Sequence, residues 1–157
     1  MINLMARKQS DYKLYALMIH ALIRNMLRED EFIQSYRRLA VQLFPFFESA
    51  VRRNDASISA KRLNEIGRYL FMLDEEDQAV ATCVSVAATI QAIQFCLGIQ
   101  SELHIGVKKI DEKLFAHAWV KLPEGDILDP QNKYKDLQII RVLKLKDEAE
   151  RWATTNL

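Results

Sequence analysis

Residues 79–98 read AVATCVSVAATIQAIQFCLG, and no charged side chain interrupts the chain between Asp77 and Glu102. In a chain that is 27% charged, this silence constrains the fold more than any other feature. Val86, Ile90, Ile93 and Leu97 make one apolar stripe, while Val84, Ala88 and Phe95 fall elsewhere around the helix. A helix that is apolar on most faces must be buried on most faces. The spacing predicts a helix from about Ala79 to Leu97, stopped by Gly98, which readily takes the left-handed conformation past a helix end. The stretch from Gln78 to Ser101 is long enough to cross a bilayer. Gln91, Gln94, Gln100, two serines and two threonines within it argue instead for a protein interior.

The residues before this stretch read as helices. Ser10–Asp11 offers an N-cap to a helix carrying Leu14, Leu17, Met18, Ala21, Leu22 and Ile23. A second helix is expected from Asp30 to Leu43, ending near Pro45, with Phe44–Phe47 packing or turning after it. Ser57 or Ser59 can cap a third through Lys61–Leu73, with Leu63, Ile66, Leu70 and Leu73 on one face. After Gly98 the period changes to two. Leu103, Ile105 and Val107 alternate with Glu102, His104, Gly106 and Lys108, which is strand spacing. Phe115–Leu122, Ile127–Asp129 and Leu137–Leu145 read as further strands. The predicted fold class is therefore α+β: N-terminal helices over residues 1–75, then a buried helix packed on an antiparallel sheet over residues 79–146. With 157 residues and no repeat, low-complexity tract or Gly/Ser linker, one domain spanning 1–157 is expected.

Net charge is +1 and the pI near 7.8, so there is no electrostatic case for a nucleic-acid partner. The early apolar run LYALMIHALI at 14–23 is followed by RNMLRED rather than by a small-residue cleavage site. It is also far shorter than a membrane span, which argues against a signal peptide and against a membrane anchor. Cys83 and Cys96 lie 13 positions apart. On one helix that is roughly 20 Å at about 1.5 Å per residue, whereas a disulfide needs Cα atoms within about 7 Å. Both are expected as free thiols, which fits a reducing cytoplasm. Two cysteines and three histidines also lack the close spacing of a zinc site, and no cofactor motif is present.

Cys83 stands at the front of the uncharged helix. Helix N-termini present unpaired N–H groups and a partial positive charge. These lower a thiol pKa and can hold a developing oxyanion. The plainer reading is a small core residue. Cys96, near the opposite end, meets the wrong sign of dipole and is expected to pack. A nucleophilic cysteine needs a base, and the base an orienting group. His20 lies inside the apolar N-terminal helix and is expected to be structural. His104 lies on the polar face of a strand and is expected to face solvent. His117 lies in FAHAWVKLPEGDILD (115–129). If Pro123-Glu124-Gly125 is a three-residue hairpin loop with Gly125 left-handed, Leu122 faces Asp126 and Trp119 faces Asp129. His117 and Asp129 then share a sheet face as a diagonal pair. A two- or four-residue loop would turn Asp129 away.

These stretches together, TCVSVAATIQAIQFCLGIQSELHIGVKK (82–109) and FAHAWVKLPEGDILD (115–129), resemble the lasso-peptide leader peptidases. Those are transglutaminase-like cysteine proteases with a papain-type triad. The resemblance covers about a third of the chain. It implies Cys83 as nucleophile, His117 as base and Asp129 as orienter. Two positions depart from the family pattern: Ser85–Ala88 replaces a run with a basic residue, and Lys121 stands where Glu usually follows His-Ala-Trp-Val. The resemblance implies removal of a leader peptide from a ribosomally made precursor, without a cofactor or metal. It also implies a separate leader-recognition protein, and an ATP-dependent cyclase acting next. The residues are equally compatible with a transglutaminase-like acyltransferase or amidase. A non-catalytic scaffold in a peptide-maturation complex is the reading from another class.

Overall fold

The structure, a computed structural model, describes residues 11–29, 31–53, 58–77 and 82–155. Three helices come first: α1 (Asp11–Glu29), α2 (Phe32–Arg53) and α3 (Ala60–Asp77). The uncharged helix α4 (Cys83–Cys96) follows, then β1 (Glu102–Ile110), β2 (Lys113–Lys121), β3 (Ile127–Leu128), β4 (Gln138–Leu143) and α5 (Leu145–Thr155). The strands form one antiparallel sheet in the order β3-β2-β1-β4. The architecture is α+β.

α4 is the hub. Every residue from Ser85 to Cys96 is buried, because α1, α2 and α3 pack on it from one side and β2 from the other. Among its buried polar side chains Gln91 is fully engaged, while Oε1 of Gln94 has no partner among the described residues. Gln91 accepts from the Tyr36 hydroxyl at 2.8 Å and donates to the carbonyls of Ser101 and Leu143 at 3.0 and 3.2 Å. One amide thus ties α2, α4 and the sheet together, without the cost of a buried unpaired group. The stop is also where the sequence puts it, with Gly98 left-handed at φ +81°.

Several boundaries differ from the sequence expectation. α4 begins at Cys83, not Ala79; residues 78–81 lie outside those described, as do Ser10, Asp30 and Ser57. α2 does not end near Pro45 but runs on to Arg53. Pro45 and Val41, whose carbonyl loses its helical donor, both lie on the exposed side, where water can replace that bond. Phe47 and Ala50 on the inner side stay buried, and Phe47 stacks on Phe95 of α4 at 4.5 Å. Ser59 caps α3, its hydroxyl accepting from the Arg62 N–H at 3.1 Å. In α1 the buried face is Tyr15, Ala16, Ile23 and Met26, while Leu14, Met18 and Leu22 are exposed.

The end of the chain also departs. The expected strand to Leu145 stops at Leu143, and α5 follows. Asp147 and Glu148 stand in its first turn, where the helix dipole favours acids. Glu148 pairs with Arg37 of α2 at 3.0 Å. His104 is not solvent-exposed but buried. The sheet face opposite α4 is covered by the Trp119 indole, whose ring lies 5.7 Å from that of His104 and 6.1 Å from that of Tyr134. His104 is satisfied there by the Glu102 carboxylate at 2.9 Å.

Candidate active site

The front of α4 is built by a reciprocal cap. Thr82 is extended, and its hydroxyl accepts from the Ser85 N–H at 3.0 Å, while the Ser85 hydroxyl accepts from the Thr82 N–H at 2.9 Å. The first intrahelical bond is Val86 N–H to the Thr82 carbonyl. A helix leaves four N–H groups without partners at its start. The cap takes two of them, leaving those of Cys83 and Val84. Cys83 is the first helical residue and half-buried, and its thiol accepts from the Val84 N–H. The Thr-x-x-Ser spacing at 82–85 is the trace of this device in the sequence.

His117 comes from β2. The loop Pro123–Gly125 sets the register of β2 on β3: Leu122 N–H donates to the Asp126 carbonyl at 2.8 Å, and Val120 lies opposite Leu128. Gly125 takes φ +102°, which a side chain would strain. Continuing that pairing brings Asp129 diagonally to His117. The carboxylate meets Nε2 of His117 with both oxygens, each at 2.9 Å. The two side chains are 3% and 2% exposed, so this bond is made out of water, where it is strongest. Asp129 also accepts the backbone N–H groups of Lys133 and Gln131, at 2.7 and 3.3 Å. The imidazole stacks between Phe115 and Trp119 at 6.3 and 6.2 Å. With Nε2 committed to Asp129, Nδ1 is the nitrogen left for the thiol, and Cys83 hydrogen-bonds to His117. The structure thus brings Cys83, His117 and Asp129 together. Cys96, buried at the far end of α4, does not join them.

The electrostatics follow from these contacts. Burial alone would raise the Cys83 thiol, but His117 and the backbone N–H groups of Ala118 and Val84 outweigh it and bring it below its ordinary value. Burial opposes a charged His117, but the bonds to Asp129 and Cys83 outweigh it and push the imidazole up to about 9. Burial also works against the Asp129 charge, and His117 with the two backbone donors holds that carboxyl below its usual range. Cys96, buried without such partners, is pushed up to about 12. The site therefore favours a thiolate beside an imidazolium, the state in which a cysteine is a strong nucleophile.

Two features had no clear signal in the sequence. Behind Asp129, Pro130 presses against α3 at Gly67, where an added methyl would collide with the proline ring. We expect Gly67→Ala to displace Asp129 and lower turnover roughly tenfold or more, with a melting loss of about 1–3 kcal/mol. Steady-state kinetics beside thermal melts would check this; unchanged turnover in a destabilised variant would show that Gly67 serves packing alone. The second feature is an open strand edge. β3 pairs with β2 for two residues only, because the chain turns at Asp129–Asn132 and Pro130 carries no N–H. By strand alternation Ala118, Ala116 and Leu114 direct their N–H groups to that edge. The Ala118 N–H meets the thiol. Ala116 and Leu114 are exposed, without a backbone partner there among the described residues.

A surface cleft of about 210 Å³ lies at the C-terminal end of β2, between Ser101, Lys121 and Lys144, and includes none of the three residues. Among the described residues no group of three His, Cys, Asp or Glu side chains is placed to hold a metal ion. No described helix is long and apolar enough to cross a membrane.

A cysteine at a helix start, a strand histidine and an aspartate after the next strand form one hydrogen-bonded line. The profile of the transglutaminase-like superfamily matches residues 26–142, a span that contains all three. No curated protein and no solved structure gives a significant match. Since the matched span covers well over half of the 157 residues and its helices and sheet carry this line of side chains, the chain belongs to the transglutaminase-like superfamily.

Proposed function

We propose that the protein is a cysteine peptidase that removes the leader from a ribosomally made lasso-peptide precursor. The observation that carries the peptidase reading is the bonded line Cys83–His117–Asp129 at the start of α4. The Cys83 thiolate attacks the carbonyl carbon at the leader–core junction, and the new oxyanion is received by the Cys83 N–H, which the cap leaves free, and by the Val84 N–H, released as the sulfur gives up its charge. The tetrahedral intermediate collapses and the C–N bond breaks. The leaving amine takes its proton from His117, leaving a thioester on Cys83. A water then gives its proton to His117 and attacks the thioester; the acid is released and the thiol restored. Asp129 holds the imidazole in the tautomer that keeps Nδ1 toward the sulfur.

A peptide substrate is supported by the open edge of β2. An extended backbone can pair with Ala116 and Leu114 and run directly to the thiol. The leader-peptidase assignment is supported by the resemblance of residues 82–109 and 115–129. The separate recognition protein of such systems would find an apolar surface in Leu14, Met18 and Leu22 on α1, with the ATP-dependent cyclase acting on the product. A free, low-pKa thiol fits a cytoplasmic setting. The same thioester could pass to an amine instead of water, which is the acyltransferase reading.

Mass spectrometry of a candidate precursor with its recognition protein tests the proposal. Release of leader and core by cleavage at one junction is expected. A mass-shifted peptide formed only when an amine is supplied would transfer the assignment to acyl transfer. The pH profile gives a further expected outcome. Below the thiol pKa the nucleophile is protonated, and above about 9 His117 loses the proton that the leaving amine needs. Turnover should therefore rise below the ordinary thiol range of 9.0 and fall around pH 9. A profile rising monotonically past pH 10 would contradict the ion pair.

A further inference from the structure

His20 is buried in α1, 65 positions from the residue that its ring meets. Its Nε2 lies 3.0 Å from the Ser85 hydroxyl. That hydroxyl is the hinge of the cap that presents Cys83. It accepts the Thr82 N–H at 2.9 Å and lies 3.1 Å from the Thr82 carbonyl, to which it donates. With its own proton directed at Thr82, the Ser85 oxygen is left to accept from His20, so Nε2 carries a proton. The oxygen then has every bond that a hydroxyl can make. This set of contacts keeps the Thr82 and Ser85 N–H groups occupied and leaves those of Cys83 and Val84 outside the cap, the latter on the thiol.

We infer that His20 is a positioning residue for the nucleophile: its bond to Ser85 locks the cap of α4 and thereby fixes the Cys83 and Val84 N–H groups and the thiol toward His117. The inference rests on the catalytic reading of Cys83 and His117. Without the His20 donor the Ser85 hydroxyl can rotate, and the cap can exchange with alternatives that draw on the Cys83 and Val84 N–H groups. The thiolate then loses part of its stabilisation although neither His117 nor Asp129 has changed. Such a residue carries no motif of its own, because its partner is distant in sequence and its chemistry is that of an ordinary buried histidine.

The test is the pH dependence of Cys83 alkylation by iodoacetamide, which needs no substrate. Cys96, at about 12, does not compete near neutrality. His20→Phe keeps the volume and removes the donor; His20→Gln keeps a donor near the Nε2 position. We expect alkylation at neutral pH to slow roughly fivefold in His20→Phe, with its midpoint moved to higher pH, and to return in His20→Gln. Should the Phe variant fail to fold, His20→Asn replaces it, since its amide falls short of Ser85. The Asn profile should shift and the Gln profile should not. Identical midpoints in wild type and the donor-free variant would overturn the inference, because a packing role alone does not move a thiol titration in a folded protein. His117→Ala serves as reference: if it leaves the midpoint unmoved, the triad reading fails separately from His20.

Discussion

Cys83→Ala is expected to leave the precursor uncut, with a loss in turnover of at least roughly 10³-fold. Cys83→Ser should do little better. A serine hydroxyl in the same place keeps the oxyanion donors, but His117 cannot hold it ionised as it holds the thiol. Because Cys83 is only half-buried, neither variant should cost more than about 1 kcal/mol in folding. The loss would then be chemical, not a loss of folded protein. Mass spectrometry of precursor, leader and core, with melting curves alongside, reads both quantities. Cleavage by Cys83→Ala at the wild-type rate would remove Cys83 from the mechanism. Binding of the partners with no cleavage even by wild type would favour the scaffold reading.

The second large effect falls on Asp129. Asp129→Asn is expected to lower turnover roughly 10³–10⁴-fold. The carboxylate accepts at both oxygens: it shares the single Nε2–H of His117 between them and takes the N–H groups of Lys133 and Gln131. An amide has one acceptor and one donor end. The shorter of the two backbone bonds, 2.7 Å from Lys133, claims the amide oxygen and leaves the NH₂ facing Gln131 and His117. Where Nε2 accepts from that NH₂, the proton sits on Nδ1 and the imidazole can no longer take a proton from the thiol. The pKa of about 9 that Asp129 helps to sustain in His117 should fall as well, carrying the alkaline limb of the pH profile downward. Kinetics of Asp129→Asn across pH would show both. A loss under tenfold with an unshifted limb would mean that Asp129 only begins the turn before Pro130.

Much of this arrangement was legible because it is local. The uncharged run announces a buried helix, since no face of it could meet water cheaply. The order of period 3.6 followed by period two announces an α+β chain. The three-residue loop fixes the β2–β3 register within a few residues, and side-chain alternation then places His117 and Asp129 on one face. Each inference needs only neighbours along the chain or across one hairpin.

Other features were misread or unseen for the opposite reason. Pro45 looked like a helix end, yet whether a proline breaks a helix depends on which side of it meets solvent, and α4 decides that by burying Phe47. His104 looked exposed because alternation marks a face as polar without saying whether an indole and a loop lie over it. The strand expected over Leu137–Leu145 stops at Leu143 and a helix starts at Leu145; it is the packing on α2 and the Arg37–Glu148 pair that favour that helix. Gly67 and His20 matter through Pro130 and Ser85, residues far away in sequence.

The sequence by itself determined the buried helix, the cysteine at its front, the hairpin and the face shared by His117 and Asp129, because backbone periodicity and turn chemistry act over short spans. Only the tertiary structure decided that the front of α4 meets the open edge of β2. That meeting joins the thiol to the imidazole, leaves a strand edge free beside it and sets α1 and α3 behind the cap and the aspartate. It depends on how layers pack around α4, and packing is settled by shape and burial among residues that local pattern never brings together.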